Sequence, residues 1–324
     1  MAHRLSTVSL FAMFVLLRLT ASADIVHATA ALNQGRVDEA TLELRSDLKA
    51  NPHDAALHLV LCRTFYSEEL ADRAIGECEA AVAETHSDDV LLSEDLMWLG
   101  RAYGLKASRA NPISAFRIAK KVVAAFERSA QVDPKNISAL SDLGEYYVGA
   151  PSIVGGGLDK ADHLAVRMQP VSATKAHRLL AMIAEKRNDY ETAEAEFKRA
   201  FEAQRTPQTL VDVADFYQRR KKCDESVSTV KTLVRMDRAR DSAIVDAASV
   251  LTACNREPQL ARELLSSYLT SSARSDSAPA ARVHVQLGDL MAKSGDQEGA
   301  RREYEAALAL ASEYAPARKA LQRR

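Results

Sequence analysis

The sequence predicts an all-α chain laid out as a solenoid of helical hairpins, and three observations predict it. The stretch from Ser172 to Pro207 reads as two antiparallel helices: Leu179, Leu180, Ile183 and Ala184 recur at helical spacing, Asn188-Asp189 breaks the run, and Ala193, Phe197, Ala200 and Phe201 resume it. Small Ala181 stands twelve residues before small Ala193, so the two helices can approach closely, with Phe197 filling the space one turn further on. The spacing then repeats elsewhere: Ala28, Ala40 and Leu44 are followed 34 residues later by Cys62, Ala74 and Cys78. Composition agrees, since 47% apolar and 27% charged residues with only 12 Gly in 324 suit a long folded chain.

Residues 1–23 stand outside this pattern. His3 and Arg4 precede an apolar run from Val8 to Leu17, and Ala21-Ser22-Ala23 offers a small-x-small cleavage site, which predicts an export signal and a mature chain starting near Asp24. The apolar run is short for a bilayer anchor, and no later stretch approaches ~20 apolar residues, so no membrane span is expected. The periplasm or the extracellular medium is the expected location.

The first two units occupy 24–86, with Gly35 at the first bend and Asn51-Pro52 closing its second helix. The third and fourth occupy 87–171. The third opens on Leu96-Met97-Trp98-Leu99-Gly100-Arg101-Ala102-Tyr103, then carries about ten extra residues around Gly104 to Ser114, expected as a swollen bend, before a helix with Val122, Phe126 and Ala130. The fourth has Leu140, Leu143-Gly144 and Tyr146-Tyr147, with Gly149 to Gly157 between its helices. Both insertions fall at the same edge and are expected side by side, where repeat arrays often carry function. Three units fill 172–269; in the last two of these, Ala214, Tyr217, Ser226, Val230, Ser249, Ala261 and Leu265 hold the phase with degenerate residues. After a polar break from Thr270 to Pro279, the last unit (Leu287-Gly288, Gly295-Asp296, Ala300, Tyr304, Ala307, Leu308) and a capping helix from Ala315 complete 270–324.

Paired small residues with an aromatic one turn beyond, at a period of about 34, together with the Leu-Gly-x-Ala-Tyr stretch at 99–103, resemble the tetratricopeptide repeat. The resemblance covers nearly all of Ile25 to Arg324. It implies a right-handed superhelical solenoid of about eight hairpins, and a binding scaffold rather than an enzyme.

The residues offer little chemistry to set against that. The eight His are scattered without HExxH spacing, and no CxxC or close His partners suggest a metal, so neither catalysis nor a cofactor is expected. Gly155-Gly156-Gly157 leads into a helix near Leu158-Asp159 and could present amides to an anion, but Asp159 already places a carboxylate there. Lys160 is followed by Ala161, which breaks the Walker pattern; a loop packed on the neighbouring insertion is the simpler account. Four cysteines suit an exported chain. Cys62 and Cys78 lie on opposing helices of one hairpin, and Cys223 and Cys254 near the bends of successive units. Disulfides within each pair are geometrically allowed, and so is a plain role for Cys62 and Cys78 as small buried residues. Asn136-Ile137-Ser138 forms a glycosylation sequon that matters only in a eukaryotic host, against which the Ala/Arg-rich composition speaks.

A formal charge of −1 without long basic runs favours neither nucleic acid nor an anionic membrane as partner. The hollow face, lined by each first helix, is expected to carry Leu59, Arg63, Tyr66, Met97, Trp98, Arg101, Asp142, Glu145, Lys175, Arg178 and Met182. Aromatic and methionine side chains beside arginines are what peptide hot spots are made of; the plain alternative is that Met97 and Trp98 pad the third unit and the arginines pair with nearby acids. The Lys and Asn set by which some tetratricopeptide repeats clamp C-terminal carboxylates is not present, so that use is not implied. The leading expectation is an exported scaffold that binds a protein or peptide in its groove, within a cell-envelope assembly of a bacterium, with homo-oligomers compatible. The alternative is a transport accessory. The fourth unit loosely resembles the tetratricopeptide T-components that engage periplasmic substrate-binding proteins, and an apolar cavity for a small ligand beneath the two insertions would favour it.

Overall fold

The computed structural model describes residues 25–323. The expected export signal at 1–23 therefore lies outside the described residues. Among the described residues there are helices and no strands. They run as successive pairs: α1 (25–33) with α2 (Val37–Ala50), α3 (Ala55–Ser67) with α4 (Ala71–Glu84), α5 (Asp89–Ala107) with α6 (Pro112–Val132), α7 (Ile137–Gly149) with α8 (Leu158–Met168). α9 (Ala173–Lys186) pairs with α10 (Tyr190–Ala203), α11 (Pro207–Arg219) with α12 (Cys223–Met236), α13 (Ser242–Ala253) with α14 (Pro258–Thr270), and α15 (Ala280–Lys293) with α16 (Gln297–Leu310); α17 (Ala315–Gln322) caps the end. Among the described residues no helix is long and apolar enough to cross a membrane.

Small residues bring each pair together. Ala28, Ala40, Cys62, Ala74, Ala181 and Ala193 have no exposed surface. In the third pair the place is Gly100, where a Cβ would stand 2.4 Å from the Phe126 ring. Only the absence of a side chain lets that aromatic close down on the facing helix. In hairpins 2, 5 and 8 a polar clasp recurs at one spacing: the imidazoles of His58, His177 and His284 each meet a carboxylate nineteen residues on, Glu77, Glu196 and Glu303, at 2.7 Å.

The ordinary bend is one motif used repeatedly. At Gly35, Glu69, Asn188, Lys221, Asn255 and Gly295 the backbone turns left-handed, with φ between 52° and 90°. The next amide reaches back to a carbonyl five residues earlier, as in Leu70 to Phe65, Asp189 to Ala184 and Lys222 to Tyr217, each 2.9 Å. This ends the first helix with its carbonyls satisfied. In hairpins 5 and 8 the following helix starts on a side-chain cap: Asp189 accepts from Thr192 N–H, and Asp296 from Gly299 N–H.

Hairpins 3 and 4 depart from this. The extra residues of hairpin 3 were expected to swell its bend; instead they lengthen both helices to 19 and 21 residues and leave a short turn at 108–111. The reason is local. Leu105-Lys106-Ala107 continues α5 with strong helix formers, while Asn111 caps Ser114 N–H and Pro112 occupies the first helical position of α6. In hairpin 4 the extra residues do form a loop, with one 3₁₀ turn at Ser152–Val154. It lies against α6: the Tyr146 hydroxyl meets the carbonyls of Val154 at 2.7 Å and Ala119 at 2.8 Å, joining both elements.

The apolar core runs as two main bodies, one through α1 to α9 and one through α11 to α15, bridged by Phe197, Phe216 and Tyr217 with ring centroids 5.3 and 5.7 Å apart. The array bends far enough for its last hairpin to meet its first two. Val37 packs with Ala281, Ala307, Ala311, Tyr314 and Ala317. Asp38 accepts from Ser312 N–H at 3.0 Å, Glu68 from Glu313 N–H at 3.1 Å, and Arg73 pairs with Glu313 at 2.7 Å. The curved ribbon thus closes along a seam.

The structure joins Cys62 to Cys78, tying α3 to α4, and Cys223 to Cys254, tying hairpins 6 and 7; the Cα atoms stand 5.3 and 5.6 Å apart.

Candidate functional site

The first helices α3, α5, α7, α9, α11, α13 and α15 supply the inward face, and its two halves are built differently. In hairpins 2 and 3 the side chains close over one another. Leu59, Met97 and Trp98 are buried, and Tyr66 meets Trp98 edge-on at 5.5 Å. Two guanidinium groups cover the indole, Arg63 at 5.3 Å and Arg101 at 4.6 Å from the ring. Each is neutralised: Arg63 Nε donates to Asp276 at 2.9 Å, and Arg101 Nε to Asp142 at 2.6 Å. Burial holds the Asp142 carboxyl above its ordinary value even against Arg101, and raises the Tyr66 hydroxyl.

Asp276 comes from the 271–279 connection before α15, not from a neighbouring repeat. That segment is shaped by Tyr268, whose side chain is fully inside and whose hydroxyl bonds the Ala278 carbonyl at 2.8 Å and the Ser275 amide at 3.0 Å. Asp276 N–H also reaches Asn33 at 3.4 Å, and Arg274 the Gln34 carbonyl at 3.2 Å. The expected hot spot around Trp98 is therefore covered by the chain itself.

Further along, an ion ladder crosses the face. Arg178 bridges Glu145 at 2.6 Å and Asp212 at 2.8 Å, linking α9 to α7 and α11. Burial opposes its charge, but the two carboxylates outweigh it and hold the guanidinium protonated. Arg219 likewise joins Glu185 at 2.8 Å and Asp215. Lys175 is half-buried in the first turn of α9, and Met182 lines a cleft of about 320 Å³ with Val148, Phe197, Asp212 and Arg219.

A further cleft lies where sequence reasoning placed nothing. Between α13 and α15 a cleft of about 340 Å³ is lined by Ala248, Ser249, Thr252, Leu265, Gln286 and Leu290, with Asp289 and Lys293 at its rim. Most of its lining is apolar, yet the buried Gln286 Oε1 has no hydrogen-bond partner. Its amide nitrogen reaches only Ser249, at 3.5 Å. Such an orphaned acceptor costs free energy until a donor arrives. The same channel continues past Asn255, Arg256 and Pro258. The signal was the degeneracy of the seventh unit: Ala248, Ser249 and Ala253 are too small to fill the space the repeat leaves. Nearby, several carboxylates gather around α13. Asp246, although open to solvent, has its carboxyl pushed up to about 6, by desolvation first and by Asp212, Asp215 and Asp241 beside it.

The other candidate residues serve the fold. The amides of Gly155, Gly156 and Gly157 donate to the carbonyls of Ser152, Pro151 and Tyr147, leaving none aimed at an anion. A Cβ on Gly156 would lie 1.9 Å from the Ala150 carbonyl oxygen. Beneath the two insertions, Val123, Val154, Tyr147, Ala161 and Leu164 are buried, so that interior is filled. His27, Glu39 and Glu43 bring their ligand atoms within 4.8 Å of one another on the first hairpin, but His27 already bonds Glu43, and Arg36 bonds Glu39.

Three segments match the tetratricopeptide repeat: 25–89, 175–207 and 281–306. The three recurring His–Glu clasps fall inside them. Among solved structures, yeast Tom70 aligns over 88% of this chain and 58% of its own, with a TM-score of 0.52 at 15% identity. A thermophilic tetratricopeptide protein of Thermus thermophilus aligns over 72% of this chain and 99% of its own (TM-score 0.47, 18% identity). A tetratricopeptide repeat protein of Parabacteroides merdae aligns over 94% and 98% (TM-score 0.47, 14% identity). At these identities the likeness is one of fold. No curated protein matches the chain, and the transporter resemblance draws no support from these matches.

Proposed function

We propose, from the premise that tetratricopeptide repeats build this chain as a helical scaffold suited to protein interaction, that it is an exported, non-enzymatic scaffold of a cell-envelope assembly. It holds a segment of a partner protein in the hollow of hairpins 5 to 8. The observation that carries this reading is the α13–α15 cleft: apolar walls for a side chain and the unpartnered Gln286 Oε1 for a donor such as a backbone N–H, with Asp289 and Lys293 at the rim. An extended segment with one apolar anchor and a free backbone N–H fits that set. The half around Trp98 is already occupied by the chain's own Asp276 and serves shape rather than capture.

Pull-down from an extracytoplasmic extract tests the site. Ser249→Trp fills the cleft and is expected to abolish capture, whereas Trp98→Ala with Arg101→Ala leaves the captured protein in place. Equal capture by wild type and Ser249→Trp removes the cleft from consideration. Export is tested separately by N-terminal sequencing of the protein recovered from whole cells: a start at or near Asp24 is expected, and retention of 1–23 overturns it.

A further inference from the structure

The two insertions raise a corner that belongs to neither the hollow nor the seam. Ile113 and Phe116 lie one turn apart on the lengthened start of α6, Ile113 being 70% and Phe116 37% exposed; Ile153, on the 3₁₀ turn of the hairpin 4 loop, is 71% exposed. The Tyr146 hydroxyl holds that turn against α6 at Ala119, one turn beyond Phe116, so the three apolar side chains share one edge. Large apolar residues left in water on a fixed edge are unusual enough to ask what covers them.

The charge around them answers. From Gly104 to Phe126 the chain has no Asp or Glu but carries Lys106, Arg109, Arg117, Lys120 and Lys121, in a protein whose formal charge is −1. Lys106 and Arg109 are tied to Asp72 and Glu69 of hairpin 2. Arg117, Lys120 and Lys121 are exposed and have no carboxylate partner among the described residues; Lys120 sits over the Phe116 ring at 4.7 Å and Lys121 over Tyr103 at 5.0 Å. Acids do stand further back, Glu127 with Lys160 at 3.7 Å, and Asp159 at the start of α8. Glu79 bonds the Tyr103 hydroxyl beside Lys121, whereas no acid stands between Arg117, Lys120 and their apolar neighbours on α6.

Against the expectation drawn from the net charge of the whole chain, we infer that this corner docks the protein onto an anionic lipid surface, Ile113, Phe116 and Ile153 entering the interface and Arg117, Lys120 and Lys121 meeting headgroup phosphates. Apolar side chains flanked by lysine and arginine gain from both terms at a bilayer surface, the cationic stems reaching past the acyl boundary to the headgroups. A protein partner would need a matching acidic pocket, whereas a lipid surface offers negative charge and apolar depth at any orientation of one edge. The inference stands apart from the α13–α15 cleft, which lies on other hairpins and remains open to a partner while the corner is engaged.

Co-sedimentation of residues 24–324, which retain the whole described fold, with phosphatidylglycerol–phosphatidylcholine vesicles tests this, with pure phosphatidylcholine as reference. Binding is expected to the anionic vesicles, and raised salt is expected to weaken it. Arg117→Gln with Lys120→Gln should lower partitioning ~5-fold per cation removed, from about 1 kcal/mol for each basic residue at an anionic surface. Ile113→Ser with Ile153→Ser should lower it further, with the thermal transition unchanged for both pairs. Equal partitioning onto the two vesicle types overturns the inference, as does partitioning that neither pair of substitutions reduces. A concentration-dependent doubling of mass abolished by Ile113→Ser, in place of vesicle binding, would assign the edge to a second copy of the chain and likewise overturn it.

Discussion

Two kinds of contact hold the hairpins of this molecule, and they are made of different residues. Within the stack, Ala181, Ala193, Phe197 and Phe216 belong to one buried apolar cluster with almost no exposed surface. Along the seam between hairpin 8 and hairpins 1 and 2, a patch of alanines around Val37 and Tyr314 is rimmed by Asp38, Glu68, Glu69, Arg63, Arg73 and Asp276. The stack gains from burial, which is non-directional and large. The seam gains from hydrogen bonds and half-exposed ion pairs, each worth little net but strict in geometry. Stability is therefore expected to reside in the stack, and the closed shape in the seam.

Breaking the stack should show the largest effect. Phe197→Ala removes the ring that joins the two core bodies and is expected to cost ~3–5 kcal/mol, read as a fall in the urea midpoint for the whole chain. Next is the bond between hairpins 6 and 7. Cys223→Ser with Cys254→Ser opens a 31-residue loop and should cost ~3–4 kcal/mol; an unchanged thermal midpoint in non-reducing buffer would mean that the bond does not form.

The seam should respond to pH through one carboxyl. Burial, with Asp38 and Glu313 facing it, raises the Glu68 carboxyl to about 7, against the backbone N–H of Glu313 and the charge of Arg73. A folded-state value above the unfolded one favours the protonated form. The contribution is full below about pH 4.5 and is lost as pH rises through about 7, amounting to at most ~3 kcal/mol. Protection of the amides near Ser312 and Glu313, taken relative to the intrinsic base-catalysed rate, should fall over that range, and Glu68→Gln should flatten the response. Asp276→Ala tests the seam without titration: exchange is expected to rise near Asn33 and the Trp98 emission to shift red, at ~1–2 kcal/mol of global stability. Unaltered exchange and emission would show that the connection before α15 does not hold the seam.

The smallest effect separates two bends of matching backbone. Lys221 and Glu69 both sit in the left-handed region, with φ of 61° and 64°, where a side chain costs about 1 kcal/mol. Lys221→Gly should gain ~0.5–1 kcal/mol. Glu69→Gly should not, because its carboxylate meets Arg109 and the Tyr314 hydroxyl across the seam.

The stack was readable in the sequence for the same physical reason that it is strong. Ala181, Ala193 and Phe197 must recur in phase because each pair of helices poses the same packing problem, so a period of about 34 residues exposes them. The lengthened α5 and α6 were legible only in part: Asn111-Pro112 is a helix start, but in a gapped repeat it reads equally as a bend. The seam left no periodic trace. Arg63 meets Asp276 across 213 positions, and polar side chains in a loop announce no partner. The phase projection put Arg63, Trp98 and Arg101 on one face, and the alternative that the arginines pair with acids was legible there; what it left out was Asp276, the distant aspartate that completes the cover over Trp98. The α13–α15 cleft was visible only as missing bulk at Ala248 and Ser249.

An open solenoid can gain or lose a repeat and remain sound, because every unit asks only for a neighbour. Here the end of the array also has an appointment with its beginning. Deleting or duplicating one hairpin would leave Glu313 and Asp276 a full unit away from Glu68 and Arg63, so closure fixes the length of the array as a circumference fixes the number of teeth on a wheel.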